Sequence, residues 1–200
     1  MADIDGIGST RPGHYGAQGT GVVLARATIG AAWNVQGDPR HAPFVAAAER
    51  QVGLAPVAQP NACARREGLL LLWLGPRSWL AIEGERTALT DADVARDALN
   101  AAGGALFDVS SSRVAFTLRG AKAADVLASG CPLDVDVRAF APGTCAQSVF
   151  GHLNALIYRH DPATFTLMVA TSFAADAWHA LSVAAAVDGY DVVPATPFRP

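Results

Sequence analysis

Charge is scarce in this chain. Lys and Arg number 15 and Asp and Glu 18 in 200 residues, so only 16% of positions are charged and the net charge is −3. An average soluble domain carries about 25%. Without a basic excess there is no face to neutralise a phosphate backbone, which argues against nucleic acid as a partner. No apolar run approaches the roughly 18 residues of a membrane span, so no membrane partner is expected either. The opening MADIDGIGST has neither the positive start nor the apolar stretch of a secretory signal. Cysteine is also rare. Cys63, Cys131 and Cys145 lie far apart, and reduced thiols in a cytoplasmic protein are expected rather than a disulfide framework. CxxC, HExxH, DxDxDG and Walker A motifs are absent.

What is abundant is apolar side chain, at 51% of residues. That excludes disorder for the body of the chain. With so few charges to cover the outside, it also points to a surface that another chain covers.

Residues 1–20 are Gly-rich and aperiodic and read as a flexible tail. Strands are expected over 22–29 and 31–35. Asp38-Pro39 has the pattern of an N-cap followed by proline at the first helical position, and Phe44, Val45, Ala48 and Val52 keep helical spacing up to Gly53. LLLLWLGPRSWLAIEG at 69–84 is a hairpin about Gly75-Pro76. Thr90-Asp91-Ala92-Asp93 opens a helix as a variant capping box. Strands over 106–109 and 114–118, a helix over 121–128 and an irregular loop over 131–142 follow. Three strands at 146–150, 153–159 and 165–170 lead to a last helix, capped by Thr171 or Ser172 and running to about 187. Residues 191–200 form a Pro-rich, extended tail. The order predicts an α+β fold of two ferredoxin-like, split-βαβ halves with antiparallel sheets, about 21–110 and 111–190, tightly joined near residues 110–112.

Few residues suggest chemistry. Cys145 and His152 fall on adjacent predicted strands, where a thiol and a base would meet across a turn. The alternative is a small buried thiol and a turn histidine. His152, His160 and His179 would need the fold to gather them about Cys145 before they held a metal. Gly6, Gly8 and the glycines of 16–21 complete no GxGxxG between a strand and a helix. Trp73 and Trp79 flank the hairpin turn, either as an aromatic platform or as core. The candidate interface is the loop over 131–140. It begins Cys131-Pro132 and mixes Leu133, Val135, Val137 and Phe140 with Asp134, Asp136 and Arg138, in a long connection for a helix and a strand. Either it folds back on its own core or another subunit covers it. An aromatic beside an arginine is usual in an interface anchor. No catalytic, cofactor-binding or metal set emerges.

Three stretches carry a resemblance. They are LLWLGPRSWLAIEG at 71–84, LFDVSSSRVAFTLRGAKAADVLASGCPLDVDVRAF at 106–140 and GTCAQSVFGHLNALIYRHDPATFTLMVATSFAADAWHAL at 143–181. Together they resemble the gamma-subunit family of heterotetrameric sarcosine oxidase. Gly130-Cys131-Pro132-Leu133-Asp134, Arg138-Ala139-Phe140, Cys145-Ala146-Gln147 and Gly151-His152 are the most specific parts. That family is similar in turn to the folate-binding aminomethyltransferase (glycine-cleavage T-protein) fold, whose F-D-[VL]-S strand end is echoed by Phe107-Asp108-Val109-Ser110. Where folate-acting relatives carry an acidic pair in G-x-[IV]-D-D-L, this chain reads Gly151-His152-Leu153-Asn154-Ala155-Leu156. Asn154 offers hydrogen bonds but no carboxylate base.

The resemblance implies a structural, non-catalytic subunit packed on the larger alpha and beta subunits, with delta completing the complex. That complex oxidises sarcosine to glycine with formation of hydrogen peroxide and one-carbon transfer to tetrahydrofolate. FAD, FMN and NAD are implied for alpha and beta, and no cofactor for this chain. Without its partners the chain is expected to self-associate. Two other readings stay open: a stand-alone folate-dependent aminomethyltransferase-like protein, and an interaction module of related fold in another amine oxidase complex.

Overall fold

A computed structural model describes residues 11–84, 89 and 91–200. The start of the expected tail, residues 1–10, and the Thr90 cap lie outside the described residues. Along the chain the strands are β1 (Gly13–Tyr15), β2 (Val22–Thr28), β3 (Ala31–Gln36), β4 (Cys63–Arg66), β5 (Leu69–Gly75), β6 (Ser78–Glu83) and β7 (Ala105–Asp108). They continue as β8 (Arg113–Arg119), β9 (Cys145–Phe150), β10 (Leu153–Asp161), β11 (Thr164–Ala170) and β12 (Tyr190–Val192). The helices are α1 (Ala42–Val52), α2 (Ala92–Ala101), α3 (Ala123–Ala128) and α4 (Ala174–Ala185). The chain forms two compact units. One joins residues through Thr28 to Ser112–Thr196, and the other joins Ile29–Ser111 to Pro197–Pro200. The units differ from the halves expected at 21–110 and 111–190: β2 belongs with the later half and Pro197–Pro200 with the earlier one.

The unit over Ile29–Ser111 carries a sheet in the order β4-β5-β6-β3-β7, antiparallel throughout. The path β3-α1-β5-β6-α2-β7 is a split-βαβ unit, with β4 added at the edge. Its helix-side core includes Trp33, Val35, Phe44, Leu69, Leu71, Trp79, Leu99 and Leu106. Leu69, Leu70, Leu71 and Leu72 are all buried, so both faces of β5 are covered. That is why the strand reads as an unbroken apolar run instead of alternating. Trp73 stands opposite Trp79 across the hairpin. Trp79 is fully buried and donates its Nε1–H to the Val57 carbonyl at 2.8 Å, while Trp73 packs against the same core. The pair is core, not a platform.

Helix α1 begins at Ala42, with His41 as N-cap and proline in its first turn. The start expected at Asp38-Pro39 is thus too early. The Asp38 carboxylate is taken by two cations, Arg40 at 3.1 Å and Arg77 at 2.9 Å, and has no helix end to cap. Gly53 ends α1 in the left-handed region (φ 93°), where its N–H reaches the Glu49 carbonyl. Asp91 caps α2, accepting from the N–H groups of Asp93 and Val94.

The other unit carries a sheet in the order β1-β12-β2-β8-β11-β10-β9. The path β8-α3-β10-β11-α4-β12 repeats the split-βαβ plan, with β2 wedged between β8 and β12. Strand β12 runs parallel to β2, against the antiparallel expectation. The core under α3 and α4 includes Leu24, Phe116, Leu127, Phe150, Phe165, Leu167, Trp178 and Leu181. A 3-10 turn over Thr171–Phe173 precedes α4, which has no side-chain cap. Residues 11–20, expected as flexible, are docked. β1 pairs with β12, Tyr15 stacks on Tyr190 with centroids 5.4 Å apart, and the Ala17 N–H reaches the Ala186 carbonyl at 3.0 Å. The last ten residues are extended as expected but not loose, since Val192 is in the sheet and Phe198 is 3% exposed. Among the described residues no helix is long and apolar enough to cross a membrane.

Candidate functional site

The loop between α3 and β9 splits its residues between two environments. Cys131, Val135 and Phe140 are buried in the core of their own unit, and Leu133 packs partly against it. Pro132, Asp134, Asp136, Val137 and Arg138 face outward. Successive aspartate turns shape the exposed stretch. Asp134 accepts the Asp136 N–H at 3.0 Å, and Asp136 accepts the Arg138 N–H at 2.9 Å. The Asp136 carboxylate also takes the Arg138 guanidinium at 2.8 Å, and this hydrogen bond holds the Asp136 carboxyl below its ordinary pKa. The Arg138 side chain remains 89% exposed. Of the six candidate interface residues, Pro132, Asp134 and Arg138 are therefore presented to solvent. Cys131, Leu133 and Phe140 hold the loop from beneath, because a long loop with four apolar residues gains more by packing most of them than by exposing them.

The residue that fixes this loop is Arg159, which the sequence reading passed over. It follows Leu153, Ala155 and Ile157 at the inward-facing positions of β10 and is 2% exposed. Its Nη1 donates to the carbonyls of Val135 at 2.9 Å and Phe140 at 2.8 Å. Its Nε donates to the Asp161 carbonyl at 3.1 Å and its Nη2 to the Pro162 carbonyl at 2.6 Å. The guanidinium carbon lies 4.7 Å from the centre of the Phe165 ring. Burial pulls its pKa down, and Asp136 and Asp161 oppose that. A cation directly after the apolar run Ala155–Tyr158, in step with Leu153, Ala155 and Ile157, was the signal available in the sequence.

The remaining candidates do not converge. Cys145 is buried at the start of β9 opposite Tyr158, whereas His152 is exposed in the turn at the far end of the same hairpin. Five strand steps of about 3.3 Å separate Cys145 from the last residue before that turn, so thiol and imidazole are far beyond hydrogen-bond reach. Among the described residues no group of three or more His, Cys, Asp or Glu side chains is placed to hold a metal. The glycines of 16–21 lead into β2, not into a helix. Asn154 is exposed on β10 and its register partner is Val149.

Two split-βαβ units define an α+β fold like that of aminomethyltransferase T. The structure of the glycine cleavage system aminomethyltransferase T from Bartonella henselae has this fold, with a TM-score of 0.57 and 13% identity over 88% of this chain and 48% of that one. The chain belongs to the sarcosine oxidase gamma subunit family, whose model matches residues 36–187. It is 31% identical over 139 residues to the sarcosine oxidase subunit gamma of Corynebacterium sp. (strain U-96), covering 70% of this chain and 65% of that relative. Identity to the Arthrobacter sp. subunit gamma is 36% over 93 residues, 46% of this chain and 45% of that one. The chain thus spans less than two thirds of either relative. A chain of the heterotetrameric sarcosine oxidase of Corynebacterium sp. U-96, solved with pyrrole 2-carboxylate, superposes with a TM-score of 0.78 at 25% identity, covering 87% of this chain and 88% of that chain.

Proposed function

We propose that this chain is a non-catalytic assembly subunit of a heterotetrameric sarcosine oxidase. The observation that carries the reading is the superposition on a chain of such a complex across nearly the whole length. The candidate site supports it: Arg159 spends its donors on holding a loop in shape, and the exposed rim offers Pro132, Asp134, Val137 and Arg138 as contacts. On this reading the partners are the alpha, beta and delta subunits. FAD, FMN and NAD reside in alpha and beta, and the complex demethylates sarcosine oxidatively to glycine with hydrogen peroxide formed and the one-carbon unit passed to tetrahydrofolate. No disulfide joins Cys63, Cys131 and Cys145, which suits a cytoplasmic protein. Affinity purification of the tagged chain from its native cells tests the proposal. Larger chains carrying flavin absorbance co-purify if it is right. A lone monomer that binds tetrahydrofolate at low micromolar concentration overturns it and restores the aminomethyltransferase reading.

A further inference from the structure

A cleft of about 670 Å³ opens in the unit over Ile29–Ser111 and Pro197–Pro200, between the β4–β5 turn and the C-terminal segment. Its volume falls in the range of small-molecule sites, about 300–1,000 Å³. Among the described residues, Arg65, Arg66 and Arg199 line it, with Glu67 the acidic side chain there. None of the three arginines pairs with a carboxylate among the described residues. Three arginines lining one cleft give it a positive charge that attracts an anion.

Two glycines set this charge in place. A Cβ on Gly53 would run into the Arg66 guanidinium, which therefore rests against the C-terminal end of α1. The partial negative charge of that helix end favours a cation there. A Cβ on Gly84 would run into the Phe198 carbonyl. The C-terminal segment thus lies directly on Gly84 with the Phe198 ring buried, and this delivers Arg199 to the cleft.

We propose that this cleft binds a small phosphate-bearing molecule. Guanidinium forks match pairs of phosphate oxygens, and several forks in one place favour a group with more than one charged oxygen over a single carboxylate. The cleft shares no residue with the 131–140 loop.

The experiment is calorimetric titration of the full chain with inorganic pyrophosphate at low salt, with citrate as the carboxylate counterpart. Saturable one-site binding of pyrophosphate is expected, with citrate weaker by about tenfold or more. Arg66→Met and Arg199→Met each weaken it by about tenfold, Arg66→Lys falls between, and Arg119→Met, exposed on the other unit, leaves it unchanged. Arg199 is exposed, so its variant keeps the parent melting temperature and reports binding alone. Absence of saturable heat, equal affinity for citrate, or unchanged affinity in the Arg66→Met/Arg199→Met double variant overturns the proposal.

Discussion

Replacing Arg159 by methionine keeps the unbranched apolar stem and removes every donor. Four carbonyls lose a charged partner: Val135, Phe140, Asp161 and Pro162. Those of Asp161 and Pro162 lie at the β10–β11 turn, where water takes over. Those of Val135 and Phe140 are the buried pair and stay unsatisfied. A hydrogen bond to a charged group contributes about 1.5–3 kcal/mol, so two lost bonds cost about 3–6 kcal/mol. The lost stacking on Phe165 adds about 0.5–2 kcal/mol. Relief from burying the cation offsets part of this, which leaves about 3–5 kcal/mol, the usual cost of removing one member of a buried charged set. At about 2–4 °C per kcal/mol for a chain of this size, the melting temperature falls on the order of 10 °C. Near-UV circular dichroism follows the melt, and hydrogen exchange at the Phe140 and Gly143 amides follows the loop. Arg159→Lys recovers only part of both, because one ammonium cannot span carbonyls on two sides. A methionine variant that melts within about 1 °C of the parent, with both amides still protected, refutes the clamp.

Arg138→Ala leaves the melt unchanged, since the side chain is 89% exposed, yet weakens association with the larger subunits by about 1–3 kcal/mol. Phe140→Ala does the reverse and destabilises the fold by about 3–5 kcal/mol, and a paired melt and pull-down separates the two. Cys145 is fully buried and reacts slowly with thiol reagents in the native protein, and Cys145→Ser leaves the activity of the assembled complex intact. His14 gives a pH dependence. Its Nδ1 faces Asp191 at 2.8 Å and its Nε2 faces the Ala17 carbonyl at 2.9 Å, two acceptors that only the imidazolium satisfies together. The Asp191 hydrogen bond, then that to Ala17, raise the His14 pKa above 6.5, and His14, then Thr20, lower that of Asp191 below 3.8. The His14 contribution is complete below pH 6.5 and is lost as pH rises through the raised value. The Asp191 contribution is present above pH 3.8 and is lost as pH falls through the lowered one. Protection of the Ala17 amide, bonded to the Ala186 carbonyl, is therefore highest between those limits and drops as pH rises through the raised His14 value, and His14→Gln removes that drop.

The regular elements were legible because their signals are local. The 69–84 hairpin carries its turn residues between two apolar runs, and Gly53 supplies the left-handed residue that ends α1. Other features depended on contacts distant in sequence. Asp38-Pro39 has the chemistry of a helix start, but Arg77, 39 residues on, claims the carboxylate. The glycines of 11–20 allow flexibility or close approach equally well. The outcome rests on β12 at the other end of the chain, where a Cβ on Gly189 would collide with the Ala17 carbonyl. The 131–140 loop announced its apolar residues but not their division between core and rim, because Arg159 is 19 residues beyond Phe140. Asn154 in place of an acid was plain in the sequence, while its exposure opposite Val149 required the register.

Reconstitution of the oxidase from its separate subunits, with and without this chain, tests the assembly role most directly. Sedimentation measures whether the larger subunits form one species, and peroxide release from sarcosine measures turnover. The assembly role predicts that the isolated chain releases no peroxide, that leaving it out lowers the yield of the complex, and that adding it back restores yield and turnover together, with Arg138→Ala restoring less. A complex that forms and turns over fully without the chain, or turnover by the chain alone, contradicts it.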